Sequence, residues 1–266
     1  MTDYFVHKGS IVRRIWGKGD TVLLIFAGAS AEFALNKAVD WLYFTGKLPA
    51  DPLGRLFSTV RYAQEIVFAK SRAAEAAIDR ITAVHKGVEE SRGDRIPDEA
   101  YLDVLFMLID YSIRSFELLE RRLKAVEKEE VFDVFYRVGL RMGLKGLPGS
   151  YGDWEMMRWK NVGENLVRTV FTPDLYERYR KSLGSFRYRL LVQVQVLLVP
   201  VRVRQLIGLP SVSFLSPVLL LYKAARWVRC DRVIKNMLLP VNYKEQIAAM
   251  DRTPRREEGM YAAKAF

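Results

Sequence analysis

The chain has 266 residues, half of them hydrophobic and 27% charged, a composition that excludes disordered, collagen-like and low-complexity proteins. Its single cysteine, Cys230, excludes a disulfide scaffold, and no apolar run follows the N-terminal Met-Thr-Asp-Tyr-Phe to indicate a secretory signal. We therefore expect a cytoplasmic protein with one domain over residues 1–266. Its formal charge of +11 indicates a partner only once the position of that charge along the chain is known.

Apolar segments with capping residues, separated by short Pro and Gly turns, predict helices through most of the chain. The first five predicted helices cover residues 21–39, 53–69, 71–90, 97–123 and 127–142. About four more are expected in the rest of the sequence. These signals predict a single all-α domain of eight or more packed helices.

Residues 192–196 are the one segment whose pattern is typical of a strand rather than a helix. Their sequence, Val-Gln-Val-Gln-Val, alternates with the period of a strand and is rich in β-branched residues. Because no second alternating segment is present to pair with such a strand, we predict a helix here.

The excess positive charge lies in the last third of the chain. Residues 1–177 contain 25 Lys and Arg against 26 Asp and Glu, whereas residues 178–266 contain 17 against 5. The basic residues of this region alternate with apolar ones, a combination that favours an anionic membrane surface over nucleic acid as the partner. We expect residues 186–235 to bind the inner membrane weakly and reversibly from the cytoplasm.

The longest uncharged stretch, Gln205 to Tyr222, has 18 residues but is interrupted by Pro210, Pro217 and three serines. A spanning helix needs about 20 mostly apolar residues, so no transmembrane helix is predicted. A surface contact and a buried helical hairpin, broken at the two prolines, are both open.

Metal ligands are scarce in this sequence. Its only histidines are His7 and His85, which together with one cysteine cannot build a multi-histidine zinc or iron site or a zinc ribbon. The short Gly-rich segments at residues 17–19 and 143–146 match neither a phosphate loop nor a dinucleotide fingerprint. Most common enzyme classes therefore lack their signature here.

His85 has Ile78, Ile81 and Val88 as neighbours at helical spacing, which turns its imidazole toward the interior. A polar group buried in this way needs a partner. One interpretation is a core histidine satisfied by a carbonyl or hydroxyl. The other is a ligand of haem iron, since haem requires only one protein histidine.

A second polar cluster consists of Arg55, Ser58 and Thr59. On a helix these residues share one face, so a guanidinium and two hydroxyls can bind an anion or stabilise negative charge. The alternative is a solvated helix start in which Arg55 forms an ion pair with Asp51. Spacing alone leaves both open.

Residues 16–120 resemble the catalytic domain shared by the rubber oxygenases, or latex clearing proteins, and the mycophenolic-acid pathway oxygenase MpaB. The matching segments are Trp16-Gly-Lys-Gly-Asp20, Asp51-Pro-Leu-Gly-Arg55-Leu-Phe-Ser-Thr59, Ile66-Val-Phe68, His85-Lys-Gly-Val88 and Tyr101-Leu-Asp-Val-Leu105. An acidic turn at residues 127–130, before a helix ending in Met142-Gly143, continues the pattern. The family-like core covers about residues 16–235 and leaves a basic C-terminal tail over residues 236–266.

The resemblance implies an all-helical haem-pocket fold that binds haem b and acts as a haem-dependent oxygenase on an apolar, isoprenoid or lipid-like substrate. It makes His85 the iron ligand and Arg55, Ser58 and Thr59 the catalytic residues, with Arg55 and Thr59 also contacting the cofactor. The alternative is a non-catalytic haem or lipid-binding helical protein at the membrane surface.

The sequence departs from the family pattern at three of the matched positions. Ser58 stands where rubber oxygenases carry lysine, and Ala69 and Glu90 stand where the family usually carries glycine. Because serine is neutral, we expect slower oxygen activation rather than loss of haem.

Overall fold

The computed structural model describes residues 3–46 and 50–227, and these residues form helices and short connections without a strand. The helices are α1 (Ile11–Trp16), α2 (Gly19–Phe33), α3 (Val39–Phe44), α4 (Pro52–Phe68), α5 (Ser71–Arg92), α6 (Asp98–Leu119), α7 (Ala125–Met142), α8 (Tyr151–Glu164), α9 (Phe171–Leu198), α10 (Val201–Ile207) and α11 (Leu215–Trp227). The prediction of an all-α domain with eight or more helices is confirmed. The tail at residues 236–266 lies outside the described residues.

Helix α9 contains residues 192–196, so the helical prediction for this segment is confirmed. Its alternating glutamines are buried in the helix packing. Gln195 accepts a hydrogen bond of 2.9 Å from the Tyr176 hydroxyl and donates one of 3.2 Å to the Ala27 carbonyl. The strand-like alternation therefore reflects buried amides with specific partners. Gly184, with φ of 75°, bends α9 and divides it into two helical segments.

The helix predicted over residues 21–39 is wrong in its extent, because α2 ends at Phe33 and α3 starts only at Val39. Between them the backbone pairs with the segment that precedes α9. Val167 donates a hydrogen bond to the Leu35 carbonyl at 2.8 Å, and Lys37 donates one to the Asn165 carbonyl at 3.1 Å. These long-range bonds outweigh the local helix propensity.

Helices α2 and α6 pack closely at the centre of the core, and Gly28 allows this approach. A Cβ atom at Gly28 would overlap the ring of Tyr111, which is fully buried. The sequence signal for the close contact is the Ala-Gly-Ala run within an otherwise large-residue helix. Small residues at this point fix how near the two helices lie.

Replacing Gly28 with alanine is expected to destabilise the protein by about 1–3 kcal/mol, because the added methyl group forces the Tyr111 ring or one helix to move. Urea unfolding followed by circular dichroism measures this change. Gly163→Ala is the matched control, since no atom lies within 4 Å of a Cβ built there. The prediction fails if both variants unfold at the same urea concentration.

A buried ion-pair network joins α2, α6 and α8. Arg158 donates hydrogen bonds to both carboxylate oxygens of Glu32 and to Asp110 at 3.0 and 3.1 Å, and the Tyr111 hydroxyl donates to Glu32 at 2.8 Å. Burial alone would lower the pKa of Arg158, but the two carboxylates raise it well above its ordinary value.

Arg158→Ala is expected to lower the free energy of unfolding by about 3–5 kcal/mol, because it leaves Glu32 and Asp110 buried without their cation. Arg180→Ala, which removes an exposed pair with Glu177, is the control and is expected to cost less than about 1 kcal/mol. Equal unfolding midpoints for the two variants would show that the buried network does not contribute to the stability of the fold.

Within the part of the chain that the structure describes, no helix has both the length and the apolar character needed to cross a bilayer. The chain breaks at Gly208, where φ is 83°, as the Gly-Leu-Pro sequence predicted. The alternative of a buried hairpin is wrong for α11, because Phe214, Val218 and Leu221 are exposed. Of the predicted membrane segment, residues 228–235 lie outside the described ranges.

Candidate functional site

Helices α4 and α5 place Arg55 and His85 opposite each other. Only Ala69 and Lys70 separate the two helices, which pack against one another. Arg55 lies 14 residues before Ala69 and His85 lies 15 residues after Lys70, so each is roughly 20 Å from the turn at about 1.5 Å per residue. The two predicted site residues are thus brought to the same height on adjacent helices.

The environment of His85 keeps its imidazole neutral. Burial lowers the pKa of His85 below its ordinary value, and the guanidinium of Arg55 lowers it further, while the Ile81 carbonyl and the Glu89 carboxylate have smaller, opposing effects. A neutral imidazole retains a lone pair that can bind a metal ion.

One ring nitrogen of His85 has no partner in the protein. Nδ1 is buried and has no hydrogen-bond partner among the described residues, although the Ile81 carbonyl lies close enough to influence the pKa of the ring. The imidazole packs edge to face against the ring of Tyr101, with 5.3 Å between centroids. Tyr101 in turn donates a hydrogen bond of 3.2 Å to Glu89.

A second unpaired donor lies on the same face of α5, two turns beyond His85. Arg92 forms an ion pair of 2.8 Å with Asp40 through Nη2, and its guanidinium stacks 3.9 Å from the Trp41 ring, but its Nη1 is buried without a hydrogen-bond partner. Arg92 is not among the site residues predicted from the sequence. The sequence feature that could have identified Arg92 is its spacing of seven residues from His85, which places both residues on one helix face.

Arg55 makes no ion pair within the described residues, and the predicted alternative of a pair with Asp51 is not formed. The Asp51 carboxylate instead accepts a 2.9 Å hydrogen bond from the Gly54 amide and caps α4. Burial lowers the pKa of Arg55, an effect opposed by Tyr62. Because guanidinium stays protonated in proteins, Arg55 is a half-buried cation without a carboxylate partner.

The two hydroxyls next to Arg55 already have acceptors. Ser58 donates to the Arg55 carbonyl at 2.7 Å, and Thr59 donates to the same carbonyl at 3.0 Å. Ser58 also accepts a long hydrogen bond of 3.4 Å from the Arg55 guanidinium. The structure therefore brings Arg55 and Ser58 together, while both hydroxyl protons are used within the helix.

The departures at Ala69 and Glu90 have little effect on this geometry. Ala69 has φ of −81° and ψ of 163°, a conformation that any residue can adopt. Glu90 is exposed on α5, so its side chain points to solvent. Neither position requires glycine in this chain.

The donor set is suited to haem rather than to a metal ion held by side chains alone. No group of three or more His, Cys, Asp or Glu residues in the described ranges is arranged to hold a metal ion. Haem carries its own equatorial nitrogens and two carboxylates and takes a single protein histidine. A neutral His85 and the unpaired Nη1 of Arg92 fit those requirements.

Comparison with known proteins gives one match. Residues 13–230 match the family described as ER-bound oxygenase mpaB/B'/rubber oxygenase, catalytic domain. No curated protein and no solved structure matches the chain. Because the match extends over most of the sequence, including all of α4 and α5, the chain belongs to the mpaB and rubber oxygenase catalytic-domain family.

Proposed function

We propose that this protein is a haem b-dependent oxygenase that acts on an apolar, isoprenoid or lipid-like substrate. The observation that carries the proposal is that a partly buried, neutral His85 lies near an Arg55 that has no carboxylate partner among the described residues. Membership of an oxygenase family supports the reaction class. The haem and the substrate are inferred from the donor set and its surroundings.

His85 would hold the iron through Nε2, and its Nδ1 would turn to the Ile81 carbonyl, one turn earlier, to fix the tautomer. Arg92 would offer its unpaired Nη1 to a haem carboxylate. When bound, haem supplies the iron at which dioxygen or peroxide is activated. The protein's own contribution is to hold this iron ligand neutral and in one orientation.

Arg55 would stabilise negative charge that develops during oxygen activation. A half-buried cation with unused donors does this well, because it is already oriented and no carboxylate competes for it. Ser58 is neutral, and its proton is donated to the Arg55 carbonyl. Proton delivery would therefore be slower than in a protein with an ammonium group at this position.

The surroundings of these groups support an apolar substrate. An aromatic ring contacts His85, and the rings of Trp41 and Phe44 contact Arg92. Such rings offer an apolar contact surface to a hydrocarbon chain beside the polar groups. An isoprenoid or another lipid-like chain matches this lining.

A second candidate function is a non-catalytic haem carrier. It is favoured by the two hydroxyls of Ser58 and Thr59, which both donate to one carbonyl and leave no obvious proton donor beside Arg55. Such a protein would bind haem without oxidising a substrate. Conversion of an apolar substrate by the haem-loaded protein distinguishes the oxygenase from the carrier.

Reconstitution of the full chain with haem b tests the proposal. A Soret band, followed by oxygen- or peroxide-dependent conversion of an isoprenoid oligomer, is expected for the oxygenase. A Soret band without conversion of any apolar substrate would support the carrier. Absence of the band at saturating haem would overturn both.

Haem binding is expected to weaken as the pH falls, because a protonated imidazole has no lone pair for iron. The pKa of His85 is lowered in the folded chain, so binding should stay constant around neutrality and decline only below about pH 6.5. The apo-protein should lose stability over the same window, since the unfolded chain binds the proton more tightly. A Soret band that declines as the pH rises through neutrality would contradict this assignment.

A further inference from the structure

Helix α11 turns its apolar stripe outward. Phe214, at the start of the helix, and Val218 and Leu221 within it are spaced at i, i+4 and i+7 and therefore lie on one face, with 58, 49 and 70% of their surface exposed. A surface helix of a globular protein normally buries such a stripe. An apolar face left in water indicates an interaction site.

Contacts with α9 and α2 hold α11 in this orientation. The Phe214 amide donates a 3.0 Å hydrogen bond to Gln193 of α9, and the Tyr222 hydroxyl donates one of 3.0 Å to Asp20 of α2. Ser213, just before the helix, is buried. The outward direction of the stripe is thus set by the packing of the helix on the rest of the fold.

The chain on either side of the stripe is rich in basic residues. No acidic residue occurs between Glu177 and Asp231, and ten Lys and Arg residues lie between them. A groove of about 570 Å³ opens beside Phe214, and two arginines, Arg168 and Arg189, line it together with one acidic residue, Glu177. Apolar side chains and cations therefore lie next to one another on the same surface.

We propose that the face formed by Phe214, Val218 and Leu221 docks on an anionic lipid bilayer. The three side chains enter the boundary between headgroups and acyl chains, and the neighbouring guanidiniums contact the anionic headgroups. Nucleic acid would bind the charges but leave the apolar stripe in water. A second copy of the chain would cover the stripe but place two predominantly basic surfaces against each other, which is unfavourable.

Co-sedimentation of the full-length protein with phosphatidylcholine vesicles, with and without phosphatidylglycerol, tests this docking. Binding is expected only with phosphatidylglycerol, and it should weaken as salt is added. Replacing Phe214, Val218 and Leu221 together with serine should weaken binding on the order of a hundredfold. Arg189→Ala should weaken it about fivefold, the effect of one cation near such a surface.

The matched control replaces Leu140 and Met156, two exposed apolar residues on α7 and α8, with serine. This variant should bind vesicles as the wild type does, and circular dichroism should show all variants folded. Binding that ignores the lipid charge, or a serine triple variant that binds like the wild type, overturns the proposal. The proposal is also overturned if the protein does not bind vesicles and light scattering shows dimers that dissociate when the three residues are replaced. None of these outcomes depends on haem.

Discussion

The Soret band of the haem-reconstituted protein is expected to disappear when His85 is replaced with alanine. In the described structure His85 is partly buried, its pKa is lowered by that burial, and it lies near the Arg55 cation on a neighbouring helix. Alanine removes the nitrogen that would bind iron. Haem titration followed by absorption spectroscopy measures the loss.

His7→Ala is the control for this experiment, because the sequence has only these two histidines. His7 is exposed, and its Nδ1 accepts a 3.1 Å hydrogen bond from the Gly9 amide, so its removal should leave the band unchanged. Unfolding of the apo-proteins shows whether the loss reflects misfolding. We expect the His85→Ala midpoint to fall only modestly, since Nδ1 lacks a strong hydrogen bond and the main loss is the ring contact with Tyr101. A His85→Ala protein that keeps haem with an unaltered spectrum would disprove the ligand assignment.

The placement of His85 and Arg55 follows from patterns that the sequence contains. A short connection between two apolar-periodic helices makes them pack against one another, and equal distances from that connection bring the two residues to one level. The inward direction of His85 follows from Ile78 and Ile81 on the same stripe. These are local features, and local features can be predicted without the fold.

The unpaired Nη1 of Arg92 and the ring contact of Tyr101 with His85 could not be predicted in the same way. Both depend on how α3 and α6 approach α5, which no local spacing encodes. The break between α2 and α3 has the same origin, since it is set by backbone bonds to residues 165–167. Interactions between distant segments decided each of these features.

The hydrogen-bond partners of the Ser58 and Thr59 hydroxyls depend on side-chain conformation, which the sequence does not encode directly. The sequence places them beside Arg55, but only side-chain torsions decide whether their protons point to a ligand or back to the helix. Both point to the Arg55 carbonyl. Of the three predicted catalytic residues, Arg55 is therefore the one whose donors are free for chemistry.

Arg55→Ala is accordingly expected to lower kcat by roughly ten- to a thousandfold, which corresponds to about 1.4–4 kcal/mol of transition-state stabilisation, while the Soret band stays in place. Arg55 would act on charge that develops only during the reaction, so KM for the substrate should change little. Arg55→Lys should recover part of the rate, because it keeps the charge but loses the planar set of donors.

Arg61→Ala is the matched control, since Arg61 is exposed on the same helix two turns further on. It removes an equal charge without touching the space opposite His85, and both the band and the rate should match the wild type. If Arg55→Ala is as active as Arg61→Ala, the cation opposite His85 takes no part in oxygen activation. The buried position of Arg55 would then serve haem binding alone, and the carrier function would be the better account of the site.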